Sequence, residues 1–530
     1  MLSEIERSKK IFVMLGVMSA MLLAALDQTI IATAMPKIVQ ELHGLEHLSW
    51  VFTAYLLAST VIVPISGKLS DIYGRKIFYM VSIIIFLIGS ILSGLAQNMT
   101  ELIIFRAIQG IGGGAIMANS FTIIGDLFPP SERGKWQGML GGVFGLASVV
   151  GPMLGGWLTD NASWRWAFYI NMPIGALAMG LIFFLMPKIA IDIKDKTIDY
   201  LGSIALTVAL VTLLLGFVLG GSQYPWNSKE IIGLFAASIV SFFIFGRIEK
   251  KAREPILPLS LFKNSIFSIS MLIVFLAGVA MFGVILYIPL FAQIVLGISA
   301  TNSGTILTPL MLGLIFSSII TGQIFSRTGK YKLLIILGLG IIPIALFLLS
   351  NMNPQTTQGG LILRSIFVGV GLGIIMPTFT VVVQNAFDHS KLGVVTASTQ
   401  LFRQIGGTVG VAIMGSILNN SLSQKLGEIS ESSFVQTLLR VNPNFGFETV
   451  DINKLQGLLG SQAAIEMGIA NLPALIKVNV MQAFVEFSAK VKQIFALSIG
   501  EVFLASSLVM IVALIASFFL KEIPLRKSHH

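Results

Sequence analysis

Two charged groups set inside apolar runs are the residues of this chain best placed to do chemistry. Asp27 stands in LDQTIIATAMP, Leu26 to Pro36, and Arg106 in LIIFRAIQGIGGGAIM, Leu102 to Met117, with Gly110, Gly112, Gly113 and Gly114 behind it. A lone carboxylate at depth in a membrane is costly, so it faces a cavity or a partner and marks an ion pathway; a purely structural polar pair is the alternative reading. At 1.5 Å per residue, Asp27 and Arg106 lie roughly 12 and 7 Å inside the same ends of their runs. A buried guanidinium needs an anion, and Asp27 is the only acid so placed in the first six runs; the two depths are compatible with pairing, which is not itself visible in the sequence. Water access and cation distance act in opposite senses on a carboxylate, so a modest rearrangement loads or releases a proton, one pKa unit being about 1.4 kcal/mol. A cationic substrate competing for Asp27 would couple two ions without simultaneous occupancy.

A second polar constellation is GKLSDIYGRKIFYM, Gly67 to Met80, a short island between two apolar runs. Its Gly67, Asp71, Gly74 and Arg75 follow a G-x-x-x-D-x-x-G-R-K spacing, in which the glycines allow close approach and a tight reversal. An ordinary basic loop is the plainer reading. Gly322 to Lys332, GQIFSRTGKYK, repeats the pattern at a constant offset with Ser326 in place of Asp71, so the chain reads as internally duplicated. Asp126 closes the Arg106 run before Pro129 and Pro130, either as a partner for this cluster or as a solvated loop charge. The fifth run, GGVFGLASVVGPMLGG, spaces Gly141, Gly145, Ser148, Pro152, Gly155 and Gly156 along one expected face for close helix packing.

The elements that hold these residues follow from composition. Of 530 residues, 55% are hydrophobic and 11% charged, far too apolar for a soluble globular domain. Runs of about twenty apolar residues, not ten-residue alternating strands, predict helices and exclude a barrel. About fourteen spans are expected, the first over residues 11–35 and the last over 498–520. The first keeps Asp27 and lacks a small-residue cleavage site, so it reads as a span and not a removed signal. The net charge of +10 is distributed unevenly. Arg7, Lys9, Lys10, Lys68, Arg75, Lys76, Arg133, Arg247, Lys250, Lys251, Arg327, Lys330 and Lys332 fall in the terminal segment and alternate loops, whereas the opposite loops carry Lys37, Arg165 and Lys229. This predicts cytoplasmic termini and no nucleic-acid partner. There is no cysteine, and the histidines form no metal-ligand cluster.

In the second half, Arg364 begins RSIFVGVGLGIIMPTF, and Arg403 with Gln404 lie deep in FRQIGGTVG without an accompanying carboxylate. Residues 419–497 are expected as an external segment of amphipathic helices lying on the surface. Glu501 then opens the last span, as an interfacial group or as a second coupling acid. No Ser/His/Asp set, metal cluster or phosphate loop points to an enzyme, and no filter motif to a channel.

Together, Asp71 and Arg75, the Arg106 segment, GPMLGG in the fifth run and LDQTIIATAMP resemble the major facilitator superfamily, in particular its fourteen-span drug:proton antiporter branch, from the N-terminus to about residue 418. The resemblance implies an all-α polytopic membrane protein of two six-helix bundles, residues 11–188 and 265–530, that rock about a midplane site, with two additional helices and a cytoplasmic linker in 189–264. It implies a conformational switch at Gly67, Asp71, Gly74, Arg75 and Asp126, an antiporter glycine-proline helix at Gly145, Gly151, Pro152, Gly155 and Gly156, and proton coupling at Asp27 and Arg106. Gln109, Arg364, Arg403 and Gln404 are the candidates for a polar cavity lining. The expected activity is export of amphipathic drugs or toxic hydrophobic compounds across the cytoplasmic (inner) membrane in exchange for protons, with no cofactor beyond the proton gradient, by a monomer. A lipid or glycolipid flippase of the same fold is the alternative. Few buried acids set this chain apart from some multidrug members and argue against dications and multi-proton coupling.

Overall fold

A computed structural model describes residues 7–42, 47–187, 198–221, 223–298, 306–388, 391–430 and 474–524. In chain order the helices are α1 (Arg7–Leu42), α2 (Leu48–Tyr73), α3 (Arg75–Leu95), α4 (Met99–Leu127), α5 (Pro130–Asn161), the short α6 (Trp166–Tyr169) and α7 (Asn171–Leu185). They continue as α8 (Tyr200–Leu219), α9 (Lys229–Glu249), α10 (Ser265–Ile294), α11 (Leu307–Thr328), α12 (Lys332–Ser350), α13 (Gln358–Asn385), α14 (Leu392–Ser430) and α15 (Ala474–Phe518). Fourteen segments among the described residues are long and apolar enough to cross a bilayer, α6 and α7 jointly forming the sixth. Phe184, Ile239, Phe243 and Phe519 stand exposed on the outside of the bundle, where hydrocarbon is the compatible solvent. The chain is a multi-pass, all-α membrane protein.

Local chemistry sets the helix ends. The side chain of Asn98 accepts the backbone N–H of Glu101 at 2.9 Å, and the Glu101 carboxylate accepts the N–H of Gln97 at 2.9 Å, a reciprocal cap on α4. Asp199, Ser228, Asn264 and Thr357 cap α8, α9, α10 and α13 in the same way. Gly74 and Gly329 break the chain at φ 91° and 67°, a region that a side chain strains. The Gly67–Met80 island is therefore not a loop: α2 runs on to Tyr73, Gly74 alone turns, and Arg75 starts α3. The helix persists because its charges are paired inside the protein and need no water. Both duplicated copies turn at the same glycine.

Helices α1–α7 pack on one another, as do α10–α15, and α8 touches both groups through α2 and α14. The linker after α9 is pinned where the Glu249 carboxylate accepts the N–H groups of Ile256 and Leu257 at 3.0 and 3.2 Å, and Lys68 of α2 pairs with Glu254. Across the two groups, α2 meets α14 and α5 meets α11. Both crossings depend on glycine: a Cβ on Gly67 would lie 2.6 Å from that of Ala397, and one on Gly322 would lie 2.7 Å from the carbonyl carbon of Gly134.

Three expectations need correction. Helix α1 extends to Leu42, which puts Asp27 about 22 Å from its end. Helices α14 and α15 continue well past the expected span limits, so residues 419–430 and 474–497 extend membrane helices and do not lie flat. Leu422, Phe484, Phe487, Val491 and Phe495 are buried, and Ser421 meets Ser498 at 2.9 Å, so the two extensions have a shared apolar face. Residues 431–473 lie outside the described residues. Finally, the glycines of α5 do not form one face. Gly138, Gly141 and Gly145 lie against α11, whereas Gly151 and Gly155 lie against Thr29, Ile30 and Thr33 of α1, and Gly156 faces open space.

Candidate functional site

Glycines decide how close the polar groups of α1–α7 can come. A Cβ on Gly110 would lie 2.5 Å from the carbonyl oxygen of Tyr55, and one on Gly112 would lie 2.6 Å from Cα of Phe86. Helix α4 is thus gripped by α2 on one side and α3 on the other. Gly89 of α3 admits Gln109 in the same way, its added Cβ standing 2.5 Å from the Gln109 nitrogen.

Within this grip, Arg106 and Asp27 form an ion pair at 2.5 Å, with side chains 1% and 0% exposed. Gln109 donates to Asp27 Oδ1 at 2.8 Å and accepts from Arg106 Nη1 at 2.8 Å. Asn171 of α7 reaches Oδ1 at 3.5 Å and Ser90 of α3 at 2.9 Å. The Arg106 guanidinium also lies over the Tyr55 ring, 4.4 Å from its centroid. Removing one partner of such a pair leaves a buried charge uncompensated, at about 3–5 kcal/mol. The cluster joins α1, α2, α3, α4 and α7, so a change in its charge is felt by most of this helix group. At the α1–α5 crossing, Thr29 donates to the Ala147 carbonyl at 3.0 Å beside Gly151, one turn before Pro152.

A second buried cluster sits where α2 turns into α3. Arg75 pairs with Asp71 and, at 2.7 Å, with Asp126; it also donates to Ser70 at 2.5 Å. Arg75 and Asp126 are fully buried and Asp71 nearly so. Asp126 is therefore a partner within the bundle and not a solvated loop charge. The Asp71 carboxylate lies directly against Gly393, the second residue of α14, where a helix N-terminus favours negative charge. Nearby, Arg133 is buried, contrary to its place among the expected loop cations. It donates to Phe128 O at 2.9 Å, to Gly125 O at 2.8 Å and, across the helix groups, to Gln384 of α13 at 3.2 Å. Gln384 in turn donates to Thr396 at 2.9 Å and to the Phe121 carbonyl at 3.4 Å. These contacts close the end of the bundle that carries the Gly74 and Gly329 turns.

Above that seal, between the two helix groups, is a cavity of about 560 Å³. Its wall is mostly apolar, with Phe121, Phe144, Phe217, Phe282, Met117, Met281, Met311 and Met376, and its polar lining includes Gln28, Gln137, Arg403 and Gln404. It extends to the far end of α8 at Phe217–Gly221 and along α14 to Asn419. Of the four expected lining residues, Arg403 and Gln404 are there. Gln109 is not, because it is engaged by Asp27 and Arg106, and Arg364 stands elsewhere on α13. Asp27 is shielded from the cavity, although its neighbour Gln28 lines it. Glu501 pairs with Lys425 at 2.5 Å and is about half exposed, at 49%, the interfacial arrangement. Tyr55, Gln137 and Gln384 were not legible as site residues. A lone glutamine in the apolar run VVVQNAF was the one available signal for Gln384.

Comparison with known proteins identifies the family and the fold. The model of the Major Facilitator Superfamily matches residues 17–411. The multidrug transporter protein MdtP of Bacillus subtilis (strain 168) is 44% identical over 434 residues, 80% of this chain and 79% of that protein. Multidrug resistance protein 3 of the same organism is 43% identical over 419 residues, 79% of this chain and 81% of that protein. The solved structure of the proton:xylose symporter XylE bound to 6-bromo-6-deoxy-D-glucose covers 88% of this chain and 96% of its own at a TM-score of 0.56 and 17% identity, a likeness of fold. On its sequence and its fold, the chain belongs to the Major Facilitator Superfamily, whose members are membrane transporters and not enzymes.

Proposed function

We propose that this protein is a secondary transporter that exports amphipathic drugs or toxic hydrophobic compounds in exchange for protons, by alternating access. The observation that carries this reading is the fully buried Asp27–Arg106–Gln109–Asn171 cluster standing one residue from Gln28 in the wall of an apolar, membrane-depth cavity. The cavity supplies a site for a hydrophobic compound. The cluster supplies a carboxylate whose proton affinity depends on how firmly Arg106 and the amides hold it. Relatives named as multidrug transporters support the choice of cargo.

In this reading the turn-bearing, basic end is cytoplasmic, both termini lie on that side of the cytoplasmic membrane, and the protein stands open to the outside. Gly67 against Ala397, Gly134 against Gly322, Asp71 against Gly393 and Arg133 with Gln384 hold the inner gate shut. Protonation of Asp27 frees Arg106 to re-pair and lets α1 and α4 shift, moving Gln28 and the cavity wall together. The carboxylate and the substrate therefore influence each other through the helices and do not share one spot. By linkage, a proton that weakens drug binding is expelled by the drug to the same degree.

The test is transport by purified protein in proteoliposomes with an imposed pH difference, using a drug panel and a fluorescent phospholipid. Gradient-driven accumulation of drugs, with the lipid left in place, is expected. Movement of the lipid alone would replace drug export with flipping, and drug movement indifferent to the pH gradient would remove the proton from the mechanism.

A further inference from the structure

The cavity has one charged residue among its described lining, and it is a cation. Arg403 of α14 donates to Gln400, approaches Met376 Sδ at 3.8 Å and lies 5.8 Å from the Phe121 ring centroid. None of these neighbours is an anion, and no carboxylate stands in the cavity wall among the described residues. A guanidinium held at membrane depth without a counter-ion is costly to keep there; the buried Arg75 and Arg106 each have an acid in contact, and the buried Arg133 has the oxygens of Phe128, Gly125 and Gln384. Two further polar groups in the same wall are unspent. Gln137 of α5, 3% exposed, has neither its amide nitrogen nor its oxygen hydrogen-bonded, and Gln404 Oε1 is also without a donor.

Their position in the fold gives them a common direction. Gln137 is one helical turn after Arg133, which is bonded to Gln384 in the seal, and Arg403 lies by Phe121, whose carbonyl accepts from that same Gln384. Both groups therefore stand just above the closed end, with Phe121 and Met376 beside Arg403, and with Phe144, two turns along α5 from Gln137, and Phe217 in the wall beyond. A buried amide with both ends unpaired costs free energy until something supplies partners. Resting on the drug-export reading, we propose that the cavity selects amphipathic compounds bearing an anionic group, a carboxylate or sulfonate, which docks on Arg403 at the closed end with Gln137 and Gln404 completing its hydrogen bonds, while the apolar body lies along the phenylalanine and methionine wall. Cationic amphipaths are disfavoured by the same Arg403, and Asp27 offers them nothing because it is sealed away by Arg106.

Two xanthene dyes of one frame and opposite charge, fluorescein and rhodamine 123, test this by fluorescence anisotropy on the purified full chain. The parent protein should bind fluorescein more tightly than rhodamine 123. Arg403→Gln should weaken fluorescein binding roughly tenfold or more, the usual worth of a hydrogen bond to a charged group, without weakening rhodamine 123. Arg403→Lys should restore most of the fluorescein binding, and Gln137→Leu should cost fluorescein a smaller factor of about three to ten. A protein that prefers rhodamine 123, or whose fluorescein affinity is unchanged in Arg403→Gln, overturns the charge preference while leaving a dye-binding export cavity intact. A parent protein that binds neither dye contradicts both the preference and the drug-export reading beneath it.

Discussion

Gly134 of α5 and Gly322 of α11 face each other so closely that a Cβ on Gly322 would stand 2.7 Å from the Gly134 carbonyl carbon and from the Lys135 nitrogen. Backbone cannot yield as the tip of a side chain can, so a larger residue at either position must part the two helices. Gly322→Val should therefore open the end sealed by Arg133 and Gln384 and shift the population toward the inward-facing state. The chain has no cysteine, so Ser318→Cys in the cavity wall gives a clean reporter. In Gly322→Val it should label from the cytoplasmic face of inverted vesicles at least several-fold faster than in the parent. Equal labelling would mean that this crossing is not part of the gate.

The Asp71–Arg75–Asp126 cluster lies beyond the seal and away from the cavity lining. Asp71→Asn removes the charge from the N-terminus of α14 and one partner of Arg75, leaving the cavity as it was. Turnover should fall by roughly tenfold, equivalent to about 1.4 kcal/mol on the switching step, with equilibrium drug binding changed by less than about twofold. Loss of binding with unchanged turnover would place Asp71 in the substrate site instead.

Orientation is testable on exposed residues at the two ends. Lys330→Cys at the Gly329 turn should react with an impermeant maleimide only in inverted vesicles, and Asn353→Cys between α12 and α13 should react in intact cells. The reverse pattern would invert the assigned sidedness.

Glu501 and Lys425 offer a contrast in burial. Their pair is solvent-facing, at 49% and 25% exposure, and exposed pairs contribute about 0–1 kcal/mol. Glu501→Gln should leave proton-driven transport within about twofold of the parent and shift thermal stability little. Loss of coupling in this variant would make Glu501 a second proton site.

What could be read in the sequence was whatever is local or costly. Fourteen helices follow from apolar length, and Asp27 and Arg106 stand out because either charge alone in a membrane is costly, although their pairing across α1 and α4 is seen only in the fold. The Gly74 and Gly329 turns follow from the duplicated spacing. Relations between distant helices were not readable. Arg133 looks like any loop cation until Gln384, some 250 positions on, is seen to accept from it. Gln109 has the composition of a cavity residue, and only its hydrogen bonds to Asp27 and Arg106 in the fold reveal that it is spent there. The small residues of α5 recur at three- or four-residue intervals, yet in the fold its glycines divide between two partners, α11 and α1. The ends of α14 and α15 were misplaced because each is polar enough to leave the bilayer on its own, and only their shared face of Leu422, Phe484, Phe487 and Val491 explains why they continue as helix.

The central claim is that the carboxylate of Asp27, held by Arg106, Gln109 and Asn171, carries the coupled proton. Arg106→Ala should destabilise the protein, by about 3–5 kcal/mol if the buried carboxylate stays charged, and should alter the pH dependence of transport. Asp27→Asn keeps shape and most hydrogen-bonding capacity, and should bind drug but fail to accumulate it against a gradient. The most direct measurement is proton release in detergent, followed with a pH-sensitive dye in weak buffer, on adding chloramphenicol or the tightest-binding member of the panel that does not itself titrate near neutral pH. The parent protein should release protons as the site fills and Asp27→Asn should release almost none at equal occupancy; release from Asp27→Asn equal to that of the parent would contradict the assignment and place the coupling on another group.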